Sequence, residues 1–267
     1  IFDTFEDMIF EGSELGHNIL GTKAALARHG TDSIRRFTGR TYTTDQMVFS
    51  SIGNFSVTTA RDTAARYLAE RHTPTRSFER AVPAVTPAFE KVLNKHTHQV
   101  HCIVGARAYD INDERRVPLS LLVNILGGPS ANSLLNVLLR EKNGLSYNIE
   151  ASYSPYNDCG FVAIYFSSEH DNADQCRELI ARQIDLMRRE TLSARRLSMA
   201  KKQFLAQMAI SMENNESYML GAGKSLLMHD DIDTLEEVYR KVAAVTAQQI
   251  TDVANEIFST TSMLMYK

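Results

Sequence analysis

Strand-like runs come first in the larger part of this chain, stacked helices follow, and one last strand closes it. Residues 99–107, 146–153 and 160–168 read as strands, the second and third joined through Pro155, Tyr156, Asn157 and Asp158. From 171 to 258 the apolar spacing is helical, in segments 171–189, 193–212, 215–228, 234–243 and 247–258, and residues 262–266 return to a strand pattern. This order predicts an α+β domain whose helices cover one face of a sheet. Between the first two strands lie helices at 115–126 and 132–140, separated by Gly127-Gly128-Pro129, and Gly144 ends the second.

The first part is poorer in strands. Ile1, Phe2, Phe5, Met8 and Ile9 recur at helical spacing until Gly12, and short helices are expected at 33–40 and 57–70. Only residues 46–53 read as a strand there, and one strand is not a sheet. Residues 72–91 hold three of the six prolines and no clear period, so they read as a connection between domains. The expected division is therefore an incomplete domain over 1–80 and a complete one over 81–267. The opening IFDTFEDMIF has no initiator methionine, basic leader or signal core, and reads as the middle of a helix.

Composition excludes several functions. With 29 Lys+Arg against 32 Asp+Glu, the net charge of −3 argues against nucleic-acid binding, which draws on concentrated basic charge. No run approaches the roughly 18 apolar residues of a membrane span. Three cysteines without C-x-x-C spacing cannot frame a disulfide-rich fold, and a reducing, cytoplasmic setting is the expectation.

Candidate chemistry is sparse. No H-E-x-x-H or H-x-x-E-H occurs among the eight histidines. In the nearest cluster, His96, His98 and His101, a strand would turn the third away from the first two, so three ligands cannot converge. There is no G-x-S-x-G elbow and no glycine-rich phosphate loop. Tyr153 and Tyr156 flank a hairpin, where they either pack or line a cleft. The run from Leu126 to Tyr147 is the most specific. Arg140 falls in the last turn of a helix, Gly144 reverses the chain and Tyr147 opens the next strand. A guanidinium and a phenol so placed are directional donors suited to carbonyls or carboxylates. The alternative is that Arg140 caps the helix and Tyr147 packs on the sheet, which is the simpler reading of the residues alone.

At this run the chain resembles the pitrilysin/insulinase-type zinc metallopeptidases, which include mitochondrial processing peptidase. Leu126-Gly127-Gly128 and Arg140-Glu-Lys-Asn-Gly144-Leu145-Ser146-Tyr147 match the family's "LGG…REk.GL.Y" motif. Leu20-Gly21-Thr22, Tyr42 through Gly53-Asn54, Gln99 through Gly105, and Asp158-Cys-Gly160-Phe161 match other family segments in the family's order. The resemblance implies repeated α+β domains, each an antiparallel-rich sheet covered by helices, and two half-molecules that close over an unfolded peptide. It implies that Arg140 and Tyr147 bind substrate carbonyls. It also implies zinc for the whole enzyme, on an H-x-x-E-H segment that family members carry upstream of the region matched here. No catalytic, metal or cofactor residue is therefore assigned in this chain, which alone should be inactive. Its expected partners are the zinc-bearing segment or chain, a second half-molecule and a peptide. A non-catalytic structural or peptide-binding subunit is the other reading. Ser130-Ala131-Asn132-Ser133-Leu134 departs from the family's Ser-Ser-Arg-Leu run.

Overall fold

A computed structural model describes residues 1–68 and 81–267. Residues 72–80 of the expected connection, with His72, and the end of the helix expected over 57–70 lie outside the described residues. The described elements are α1 (Phe2–Ile9), α2 (Lys23–Leu26), α3 (Thr31–Thr41), α4 (Val57–Leu68), β1 (Glu90–Leu93), β2 (Val100–Ala108) and α5 (Arg116–Gly127). A π-helical segment, Asn136–Lys142, precedes β3 (Ser146–Pro155) and β4 (Gly160–Ser168). Then come α6 (Ala173–Arg189), α7 (Ala194–Met212), α8 (Asn215–His229), α9 (Leu235–Ala244), α10 (Ala247–Ile257) and β5 (Ser262–Tyr266).

The five strands make one mixed sheet in the order β1-β5-β2-β4-β3, with only the β1–β5 pair parallel. The sequence GFVAIYFSS of β4 is buried along its whole length, as a strand covered on both faces must be. Val162, Ile164 and Phe166 point with Val100, Cys102, Met263 and Met265 into a core roofed by α5, α6 and α10. Leu119, Leu122, Ile180, Ile250 and Val253 supply that roof. On the opposite face, Phe161, Ala163, Tyr165, Ile103 and Leu264 meet Phe5, Ile9 and Phe10. Helices thus cover both faces, where the order of elements had suggested one. Period-2 alternation explains it: the strands offer an apolar row on each side, and α1 has the apolar stripe to fill the second.

α1 is held by more than packing. The Arg107 guanidinium lies 4.4 Å over the Phe10 ring and donates to the Ile9 carbonyl oxygen at 3.4 Å. Thr86 Oγ1 donates to the same carbonyl at 2.9 Å. The Tyr156 hydroxyl donates to Glu6 Oε1, and Tyr266 Oη to Thr4 Oγ1 at 2.8 Å. Gly105 makes room for Phe5. A Cβ there would stand 2.7 Å from Phe5 Cζ and inside the radius of the Val162 carbonyl oxygen.

Contacts group the chain into two compact units, residues 1–19, 82–205 and 239–267 in one, and 20–81 with 206–238 in the other. They do not follow a single cut at 80/81. Residues 1–19 join the sheet because Phe5 and Phe10 find their apolar cover there. In the second unit, the strand expected over 46–53 does not form. Thr44–Gln46 is a 3-10 turn, Met47 is extended, and residues 47–52 have no ladder partner among the described residues. A strand requires a neighbour, and this unit's described elements are helical. The segment instead runs close to α8, where a Cβ on Gly223 would meet Ser50 Oγ at 2.8 Å.

Candidate functional site at the head of β3

The helix expected over 132–140 starts later and winds wider. Residues 134 and 135 are α-helical, and Asn136–Lys142 is a π-helix. Such i→i+5 turns are rare and recur at functional sites. Leu139 is buried in the core while Arg140 faces out. The segment ends on Gly144 at φ +61°, a conformation that glycine reaches without a Cβ penalty. The Gly144 N–H donates to the Arg140 carbonyl at 3.1 Å, and the Leu145 N–H to that of Leu139 at 2.8 Å. Asn143 Nδ2 donates to the Leu138 carbonyl at 2.6 Å. The Leu138, Leu139 and Arg140 carbonyls are thus satisfied by backbone and by Asn143, without the Arg140 guanidinium. Among the described residues it pairs with Glu141, at 3.6 Å, with both side chains more than half exposed. Such a pair is weak, worth about 0–1 kcal/mol.

Tyr147 does not pack on the sheet either. It is 74% exposed. In the β3–β4 ladder Ser146 pairs with Ser168 and Asn148 with Ser167, so Tyr147 is the extra residue of a β-bulge. Bulges re-aim a side chain at a strand end. This one is pinned from inside: the buried Ser146 hydroxyl donates to the Ser167 carbonyl at 2.6 Å. The structure thus puts Arg140 and Tyr147 at one corner of the sheet, either side of the Gly144 turn. Neither performs the capping or packing role that residue chemistry alone had favoured. The bulge and the π-turn carry no sequence signal beyond Gly144.

Other candidates are committed to the scaffold. Tyr153 Oη donates to the Tyr109 carbonyl at 2.8 Å, and Tyr156 to Glu6. Burial first, and for Tyr156 its bond to the carboxylate, raise both phenols above the ordinary tyrosine range. Asn132 Nδ2 donates to Gln203 Oε1 at 2.7 Å, while the buried Ser133 Oγ has no hydrogen-bond partner among the described residues. A network missed in the sequence joins α10 to the β2–α5 loop. Tyr109 Oη donates to Glu256 Oε2 at 2.7 Å, and Arg115 bridges Glu256 and Asp113 at 2.8 and 2.6 Å while stacking 4.2 Å over the Tyr109 ring. Its partners are too far apart in sequence for any local pattern to show.

The described residues do not fit a zinc site. His96 and His98 lie in the loop before β2, and His101 Nδ1 is engaged with Tyr165 Oη at 2.8 Å. Among the described residues no group of three or more His, Cys, Asp or Glu side chains is placed to hold a metal. The three cysteines are buried free thiols. Burial pushes the Cys102 and Cys159 thiols up to about 12 from 9.0. Protonated thiols are poor ligands and poor nucleophiles. Because the folded pKa lies above the unfolded one, the stability these thiols contribute is full below pH 9 and is lost as pH rises toward about 12. Native protein at pH 8 should therefore leave Cys102 unmodified by iodoacetamide, as read by intact mass, until denaturant is added.

No helix among the described residues is long and apolar enough to cross a membrane. Among solved structures, the peptidase M16 inactive domain of Pseudomonas fluorescens superimposes with a TM-score of 0.87 at 17% identity, over 99% of this chain and 64% of that one. A chain of complex III2 from Candida albicans does so at 0.84 and 12% identity, over all of this chain and 66% of that one. These show a shared fold. In sequence, the chain is 29% identical over 265 residues to the uncharacterized zinc protease YmxG of Bacillus subtilis, and 27% identical over 267 residues to one from Rickettsia bellii. It spans 63% of the length of each of these relatives. The family model described as the peptidase M16 inactive domain matches residues 31–204. Family model, relatives and fold agree, and the chain belongs to the M16 inactive-domain family, the non-catalytic domain of pitrilysin/insulinase-type zinc peptidases.

Proposed function

We propose that this chain forms the non-metal-binding wall of a zinc-dependent endopeptidase that takes peptides or unfolded proteins, and that Arg140 and Tyr147 hold the substrate by its main-chain carbonyls. The observation that carries the reading is the exposure of both side chains beside a bulge on an edge strand. Among the described residues β3 pairs with β4 alone and closes one side of the sheet. Proteins usually guard such an edge with lysine, proline or several charges. Before Pro155, β3 carries a single charged residue, Glu150. An extended peptide can add there as a further strand, with its hydrogen bonds supplied by backbone. Arg140 then offers planar paired donors and Tyr147 a hydroxyl donor to a carbonyl at the strand head. Those bonds orient the carbonyl and favour charge on its oxygen, and the tyrosine proton need not transfer. Zinc would be held outside the described residues, by an upstream segment or another chain, and would supply the hydrolytic chemistry.

Two further features support this assembly. The relatives are longer than this chain, and Ile34, Phe37 and Phe49 of the second unit are more than half exposed. The second unit then contributes to a further domain that chain beyond this sequence completes, and two half-molecules close over the peptide. The second reading, a structural or peptide-binding subunit without catalysis, draws on the likeness in fold to the complex III2 chain.

Titrating an unstructured peptide into ¹⁵N-labelled protein tests the positioning role. The Arg140 Nε–H and the amides from Tyr147 to Glu150 should shift in a saturable way. Saturable shifts confined to other residues would remove the pair from the peptide site.

A further inference from the structure

The open edge of β3 shows an incoming strand two different faces. Glu150, Ser152 and Ser154 pair with Tyr165, Ala163 and Phe161, which belong to the core under α1, so their side chains stand on the α1 side of the sheet. Ile149, Ala151 and Tyr153 pair with Phe166, Ile164 and Val162 and continue the face roofed by α5, α6 and α10. One row is polar, the other apolar.

The hydrogen-bonding phase of the edge follows from the hairpin. The Tyr156 N–H donates to the Cys159 carbonyl at 2.7 Å, which makes those two a hydrogen-bonded pair. Such pairs alternate along an antiparallel ladder. The register runs unbroken from Pro155–Gly160 to Asn148–Ser167, so Glu150–Tyr165 is a bonded pair as well. Glu150 thus spends its N–H and C=O on β4, while Ile149, Ala151 and Tyr153 turn theirs outward. In a strand added antiparallel there, the residue opposite Glu150 takes a non-hydrogen-bonded position. Cα atoms approach to about 4.5 Å at such positions, and side chains meet most closely.

Glu150 has a charge to offer that residue. It is exposed, and among the described residues it makes no ion pair and no side-chain hydrogen bond. Arg107, on the same face, is turned instead onto the Phe10 ring and the Ile9, Pro83 and Ala84 carbonyls. α1, which covers this face, brings Asp3, Glu6 and Asp7 and no basic residue.

We infer that Glu150 sets which peptides this edge accepts, a step that rests on the peptide addition to β3 proposed above. The accepted strand carries a lysine or arginine opposite Glu150. The residues before and after that cation are apolar, because they fall beside Ile149 and Ala151 on the other face. An acidic residue at the central position meets Glu150 as a like charge across strands and is disfavoured.

Fluorescence anisotropy with short labelled peptides and the 267-residue chain tests it. Each peptide alternates threonine and valine around one central residue, which is lysine, glutamine or glutamate. The lysine peptide should bind about threefold more tightly than the glutamine one and about tenfold more tightly than the glutamate one. Glu150→Gln should erase the lysine preference, and Glu150→Lys should reverse the order. Should either variant melt early, the three peptides on the unaltered chain decide. A ¹⁵N spectrum of each mixture shows where the peptide lies. Equal binding of all three peptides with the Ile149 and Ala151 amides shifted overturns the inference and leaves peptide addition to β3 standing. Shifts confined to residues outside β3 overturn both. A lysine preference that survives Glu150→Gln assigns the selection to other residues and overturns the inference alone.

Discussion

Replacing Phe5 with alanine should cost about 3–5 kcal/mol of stability, the range for truncating a fully buried aromatic. Phe5 is 0% exposed, with Phe89 and Phe161 at ring-centroid distances of 5.7 and 6.3 Å. Gly105→Ala should act on the same contact from the strand side. The new methyl must displace Phe5 or the Val162 carbonyl, and overpacking of this sort costs about 1–3 kcal/mol. Urea unfolding followed by far-UV circular dichroism measures both, since the chain has no tryptophan to report. The thiols then locate the damage. Cys159 belongs to the core under α1, and Cys102 and Cys176 to the core on the other face. Phe5→Ala should raise the labelling rate of Cys159 alone. If all three label together, or if stability falls by less than about 1 kcal/mol, α1 is not the cover of that face.

On the proposed function, the second large effect concerns catalysis by the whole protein, with the zinc-bearing part present. Arg140→Ala should lower kcat/KM about 10²–10³-fold, the loss typical when a donor to a reacting carbonyl is removed. Tyr147→Phe removes one hydroxyl and should cost about tenfold, close to 1.4 kcal/mol. Both side chains are exposed and make no core contact, so the unfolding midpoint should move by no more than about 0.5 kcal/mol. A separate readout excludes a merely structural effect: Arg140→Lys, which keeps charge but not the planar fork, should recover only a small part of the loss. Equal activity in wild type and Arg140→Ala would return this residue to the role of a solvated surface charge.

Much of the sheet was legible because its strands are apolar and bounded by turn residues. Gly160–Ser168 and Ser262–Tyr266 fall where the pattern placed them, and β2 is displaced by one residue. β1 was not legible. Its Glu-Lys-Val-Leu is short, half charged and mostly exposed, and becomes a strand only because β5 pairs with it. Residues 46–53 show the reverse case, a strand pattern with no described neighbour to pair with. The helical stripe of α1 was plain in the sequence, yet its destination was not, because nothing local shows that Phe5 meets Gly105 across the fold. For the site, Arg140, Gly144 and Tyr147 were found by motif. What the motif could not convey is that the cap is closed without the guanidinium and that a bulge frees the phenol.

In the proposed function, peptide lies at the head of β3 beside Arg140 and Tyr147. The most direct test puts a photo-crosslinking phenylalanine at position 147 and irradiates the protein with an unstructured peptide, followed by mass-spectrometric mapping. A crosslink from position 147 to the peptide is expected, competed away by excess unlabelled peptide and reduced by Arg140→Ala. Crosslinks only to the protein's own residues, with peptide still bound, would contradict it.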